Sequence, residues 1–183
     1  MRSGLLIAAF FAVVSPAQAD EWRSAENSEF GFEAIFEGVA TPGKFTHFLV
    51  VLDLDPACAG NNKLRVTVDL TAADMGDPDM NAVLYEPAWF DTKHYAEAVF
   101  ESSDIVERSP GEFLATGMLD LKGARKTVAV PFSWTRSTDG ASMKGELSLD
   151  RTRFDVGSGE WASDDAIGIN VKLVFTVQLE LRN

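Results

Sequence analysis

Thiols, imidazoles and positive charge are all scarce in this chain, and each scarcity narrows the available chemistry. One cysteine, Cys58, occurs in 183 residues, so no disulfide can close within the chain. It sits in a stretch, residues 55–62, whose Pro, Gly and Asn content reads as a loop. There it is an incidental thiol or one half of an intermolecular disulfide. Only two histidines are present, His47 and His94. Neither has a ligand-type residue at i+2 or i+4, and no HExxH or Cys-His set exists, so no metal site is expected. His94, beside Tyr95, reads as a surface loop residue. His47 alternates with Phe45 and Leu49, which would turn it inward as a structural or a headgroup-binding histidine. Basic residues number 16 against 28 acidic ones, for a formal net charge of −12. That surface repels phosphates and anionic headgroups, which argues against nucleic-acid partners and against polybasic docking on membranes.

Long apolar runs are lacking too, except at the start. Arg2, an apolar run over residues 5–14, Pro16 and then Ala17-Gln18-Ala19 form the three regions of a secretory signal peptide. The expected organisation is a leader over 1–19, removed after Ala19, and one domain over 20–183. Losing Arg2 would take the net charge to −13. No later segment is apolar enough to cross a membrane as a helix, so the reading is an exported protein of the periplasm.

Catalytic signatures are equally sparse. No G-x-S-x-G elbow occurs. The loop Gly157-Ser158-Gly159-Glu160-Trp161 lacks the lysine and helix of a phosphate loop. Asp164-Asp165, and Asp77 with Asp79, read as solvated turn residues rather than a glycosidase pair. Arg151 and Arg153 beside Asp150 and Asp155 read as an ion-pair cluster ordering a loop, or else as contacts for a diphosphate or quinone head. The expectation is a protein that is not an enzyme.

What the chain does have is alternation. From 166 to 182, Ile167, Ile169, Val171, Leu173, Phe175, Val177, Leu179 and Leu181 occupy every odd position, and only Val174 breaks the polar set between them. A period of two is a β-strand with one dry face. At roughly 3.3 Å per residue it spans on the order of 50 Å, too long to stay flat, and an antiparallel barrel gives its dry face one continuous interior. Residues 22–36 repeat the pattern with Phe30, Phe32, Ala34 and Phe36. A turn is expected over 38–43, then a strand over 44–55 that is bulged or covered on both faces. Leu64, Val66, Val68 and Leu70 alternate next. Residues 72–91 form the one non-β insertion: a short helix carrying Met80, Val83 and Leu84, then Trp89 and Phe90 packed inward as an end cap. Strands over 96–106, 112–121, 126–136 and 142–150 follow, with tight turns between, and a glycine-rich loop over 151–165 leads to the last strand. The fold class is all-β, an up-and-down antiparallel eight-stranded barrel with a helical insertion capping one end.

This order resembles the YceI-like family, the lipocalin-like exported barrels associated with polyisoprenoids. Trp22, then Ser28-x-Phe30-x-Phe32, is similar to its opening strand and Gly43-x-Phe45 to its second. Asp74-x-Gly76, Leu84, Trp89-Phe90-Asp91 and Phe100-x-Ser102 resemble its middle section. Gly117-x-Leu119-x-Leu121-Lys122-Gly123-x-x-Lys126 resembles its best-marked turn, and Arg151-x-x-Phe154 its last loop. The chain departs from the family where Phe36 replaces a frequent histidine, Met80-Asn81 an Arg-Asp pair, Ala96 a proline and Asp155 a glycine. The resemblance implies a lipocalin-like barrel with an apolar tunnel that holds an isoprenoid lipid or quinone, with no covalent cofactor. On the alternation, the tunnel wall would carry Phe30, Phe32, Phe36, Val130, Phe132, Ile169, Val171, Leu173, Phe175 and Val177. Two roles follow: carriage or storage of a polyisoprenoid or isoprenoid quinone, or an accessory module for a membrane redox (cytochrome b-type) or stress-response system. A homodimer or a membrane redox partner fits either role. N-terminal sequencing of the exported chain is expected to read Asp20-Glu21-Trp22; a retained Met1 in a cytosolic product would remove the compartment argument.

Overall fold

The computed structural model describes residues 20–55 and 62–182; the leader expected over 1–19 and Cys58 lie outside the described residues. Eight antiparallel staves close into a barrel, three of them built in two pieces. The first stave is β1 (Glu21–Ser24) and β2 (Glu29–Phe36). The second is β3 (Val39–Phe45) and β4 (Phe48–Asp53). The third is β5 (Lys63–Asp69), a 3-10 turn (Leu70–Ala72) and the two-residue β6 (Ala73–Asp74). Helix α1 (Pro78–Tyr85) follows, then β7 (Glu97–Ser109), β8 (Glu112–Leu121), β9 (Ala124–Arg136), β10 (Ala141–Asp150) and β11 (Asn170–Leu181). Trp22 closes the ring, paired with Leu52 of β4 on one side and Leu181 of β11 on the other. Among the described residues no helix is long and apolar enough to span a membrane.

The two-piece staves have local causes. Between β1 and β2 the chain bulges out and is stitched back by Ser28, whose Oγ donates to the Gln178 carbonyl and accepts from the Gln178 N–H at 3.0 Å. Between β3 and β4, Thr46 leaves the ladder and bonds through both N–H and Oγ to the Ala72 carbonyl. That bulge shifts the alternation by one: Phe45 points in, and then Phe48, Val50 and Leu52 do. His47 lies on the bulge and is exposed, a correction to the inward placement that simple alternation suggests.

The turn expected over 38–43 is also corrected. The reversal takes only Glu37 and Gly38, both left-handed at φ 47° and 79°, as a two-residue hairpin of the twist-matched kind requires. Pro42 lies within β3 opposite Glu33, where β3 has a neighbour on one side only, because β6 reaches it at Lys44 and Phe45 alone. Lys122-Gly123 repeats the device between β8 and β9, at φ 52° and 73°. The last strand begins at Asn170, not 166. The residues before it are engaged otherwise, with Gly168 N–H on the Ile35 carbonyl.

The barrel is filled at one end. Trp22, Leu52, Phe113, Ala115, Phe132, Ala141 and Leu179, from six strands, are all buried. Phe113 and Phe132 stack at 5.4 Å, Trp22 meets Trp134 edge-on at 6.1 Å, and the Arg136 guanidinium covers Trp22 at 5.1 Å. Each large side chain in such a layer stabilises the fold by about 1.5–3 kcal/mol. Phe132→Ala should therefore cost about 3–5 kcal/mol in urea denaturation while leaving the hollow end of the barrel intact.

Candidate ligand-binding tunnel

Above that packed layer the barrel is hollow. A cavity of about 460 Å³ occupies the capped end, within the range of small-molecule sites. Phe30, Phe32, Ala34 and Phe36 of β2 line it, as do Val171 and Leu173 of β11. Val68, Ala98, Leu119, Leu121 and Leu149 contribute from the strands between. Its roof is the insertion and the loop over 151–169. Met80, Val83 and Leu84 of α1, with Trp89 and Phe90, come from the first; Phe154, Val156, Trp161 and Ile167 come from the second. The two halves of the roof are joined: Gly157 and Ser158 both donate to the Ala88 carbonyl at 2.8 Å, and Trp89 lies 6.0 Å from Trp161. A smaller cavity of about 90 Å³ lies deeper, among Phe48, Val50, Phe100, Val130, Met143, Phe175 and Val177. None of the packed-layer residues named above lines either chamber, so the hollow ends blind.

Glycines shape the bore. A methyl group on Gly43 would collide with the ring of Phe32, its cross-strand partner, and one on Gly145 with the ring of Phe175, its own partner. Each phenyl ring therefore lies flat across a glycine instead of standing into the lumen.

The outer chamber has almost no polar wall. Thr41 and Arg151, with the Trp89 and Trp161 indoles, are its polar side chains, and the Trp89 indole N–H is buried without a partner. Arg151 is 4 % exposed. The ion-pair cluster expected around it is not what holds it. Its Nε donates to the Gly168 carbonyl, its Nη1 to Val156 and Gly157, and its Nη2 to Trp161, Ser163 and Ile167, all at 2.7–3.0 Å. Six carbonyls saturate its five N–H groups, leaving none for a ligand head. It also sits 5.9 Å over the Trp89 ring. Burial pulls its pKa below the ordinary arginine value, with the Asp150 charge acting the other way; an arginine stays charged regardless. Asp155, the other expected member of the cluster, pairs instead with Lys122 at 3.6 Å.

A family model described as the YceI-like domain matches residues 23–179. The chain belongs to the YceI-like family. The crystal structure of BcnA from Burkholderia cenocepacia is similar to it at TM-score 0.79 and 30 % identity, covering 82 % of this chain and 95 % of that one. A polyisoprenoid-binding domain from Saccharophagus degradans, implicated in plant cell wall breakdown, shares the fold at TM-score 0.71 and 16 % identity, over 90 % of this chain and 99 % of that one. A UPF0312 protein of Vibrio parahaemolyticus is 27 % identical over 62 % of this chain and 64 % of its own length. The chain thus spans less than two thirds of the curated relatives it first matches.

The YceI-like sequence features acquire physical reasons in this barrel. Asp155 stands left-handed at φ 57°, the conformation for which a glycine otherwise serves. Of the Met80-Asn81 pair, Met80 lines the chamber, while Asn81 turns away to bond Met75 N–H and Asp74. Of the ten wall residues named from sequence, Phe30, Phe32, Phe36, Val171 and Leu173 line the outer chamber, and Val130, Phe175 and Val177 the inner one. Phe132 lies in the packed layer, and Ile169 lines neither chamber; Ile169 has its carbonyl on Arg151 N–H. Trp89 and Phe90 both line the outer chamber. Alternation on β5, β7 and β8 was a usable signal for Val68, Ala98 and Leu119. No alternation marks Val156 or Trp161, and Phe154 is marked only by the Arg151-x-x-Phe154 resemblance; all three line the cavity from the loop that Arg151 holds. Among the described residues no group of His, Cys, Asp or Glu could hold a metal ion, and His94 is engaged with Asp91 at 2.8 Å.

Asp150 sets the start of the roof loop, accepting from Thr152 Oγ at 2.6 Å and Thr152 N–H at 2.9 Å. The Thr152 hydroxyl is the main reason its pKa lies below the ordinary carboxylate value, helped by the Thr152 and Arg153 N–H groups and the Arg153 charge against a burial cost. A lowered native pKa means that this stabilisation is complete above about pH 4 and is lost as pH falls through the native value. Urea titrations of wild type and Asp150→Asn should therefore converge as pH drops below about 4.

Proposed function

We propose that this protein is an exported, non-enzymatic carrier or reservoir that holds the chain of a polyisoprenoid or isoprenoid quinone inside the barrel. The observation that carries the reading is the blind apolar tunnel, whose one charged wall residue has every N–H committed to backbone carbonyls. Such a wall selects for an apolar chain and offers a polar head little, so the chain enters tail first and the head stays at the capped end. Burying a chain is worth about 0.8 kcal/mol per CH₂, several kcal/mol per five-carbon unit, offset in part by ordering the polymer. The printed description of the Saccharophagus degradans neighbour as polyisoprenoid-binding agrees in ligand class. The leader sequence supports the periplasm as the place of action, and the acidic surface supports delivery without polybasic docking.

Val171→Trp tests this. It adds bulk to the wall of the outer chamber, where a hollow tolerates it and a filled core would lose about 1–3 kcal/mol. The wild type is expected to yield an isoprenoid on organic extraction and native mass spectrometry; the variant should yield little, with unchanged β-sheet circular dichroism. A wild type that carries no lipid and takes none from ubiquinone or polyprenol vesicles would favour the accessory-module role.

A further inference from the structure

The two chambers meet at a ring of side chains. Phe30, Val68, Ala98, Leu119, Leu149 and Leu173 line both, one each from β2, β5, β7, β8, β10 and β11. The ring therefore draws on strands all around the barrel, at the level where the bore passes from the wide chamber to the narrow one. Its smallest member is Ala98, 7 % exposed and paired directly with Val68. Ala98 contributes only a methyl group to the ring, less than any other member.

We propose that this ring gauges the length and slimness of the bound chain, with Ala98 as the specificity-determining residue. The inference rests on the carrier reading above and deepens it. A short isoprenoid is held in the outer chamber alone. A longer linear one passes its apolar end through the ring and gains contacts with Phe48, Val50, Phe100, Val130 and Val177 in the inner chamber. The packed layer beneath stops it there. The substrate class is thus a linear, unbranched-backbone isoprenoid long enough to reach past the ring, and a rigid fused-ring lipid would be held at the outer chamber. Any side chain larger than alanine at position 98 adds bulk to the ring, so it should penalise long chains more than short ones.

The test is a graded series, Ala98→Val, Ala98→Leu and Ala98→Phe, titrated by native mass spectrometry with farnesol, geranylgeraniol and solanesol. Circular dichroism melting of each variant shows that it is folded, and Ala98→Val keeps the series readable should Ala98→Phe fail to fold. Wild type should bind solanesol more tightly than farnesol. Across the series, the ratio of solanesol to farnesol affinity should fall with side-chain size, by roughly tenfold or more at the largest folded variant. Parallel weakening of all three alcohols, or an unchanged length profile, would overturn the gauge and leave the carrier reading standing. A wild type that binds none of the three would instead remove the carrier reading, and the gauge with it.

Discussion

One edge of β11 determines the shape of the whole molecule. Two successive pieces of chain use it in series: β1 against Leu179–Leu181 and β2 against Lys172–Thr176. Because β1 turns to β4 and β2 turns to β3, the barrel is closed twice over, at different heights, by the same strand. A single stave pair could close only a short ring. The serial arrangement makes the ring tall, and an interior of eight-stranded width can be filled by side chains at one height and left hollow for a small ligand at another. The lower level is closed by Trp22, a residue large enough to pack across the lumen. The upper level is closed by β2, where the Phe32 ring lies across Gly43. A filled floor and a hollow upper part follow from that difference.

The hollow part would be open to solvent were it not for a roof assembled from two distant stretches of chain. Residues 86–90 and 151–169 contribute few ladder bonds, so their backbone groups need other partners. Arg151 provides them for the second stretch, gathering six carbonyls around one guanidinium, and the Ala88 carbonyl ties the first stretch to the second. A glycine at 157 is part of this design, since a methyl group there would strike the guanidinium.

Much of the barrel was legible in the chain because a half-buried strand writes its period directly. Phe30 to Phe36 and Val171 to Val177 alternate in step with the face that lines the two chambers, and the Lys122-Gly123 turn is plain in the sequence. The errors arose where the backbone leaves the ladder. Alternation turns His47 inward because the bulge at Thr46 is invisible to it, and 38–43 reads as a turn because Pro42 and Gly43 imitate one, although only Glu37 and Gly38 reverse the chain. Alternation puts Phe132 on the tunnel face, and only the structure places it at the level of the packed layer, because period shows which face a residue occupies and not at what height. Arg151 was paired with its acidic sequence neighbours, whereas its partners are main-chain carbonyls, which no side-chain pattern reveals.

The choice of carbonyls over carboxylates around Arg151 has a consequence for endurance. A guanidinium does not give up its proton in any ordinary medium, and an amide carbonyl has none to gain. Dissolved ions weaken attractions between full charges far more than they weaken short, buried contacts to dipoles. The tie at the centre of the roof is therefore nearly indifferent to acidity and to brine, even where the carboxylate turns around it fade. A cover fastened this way holds its shape across changes of acidity and salt.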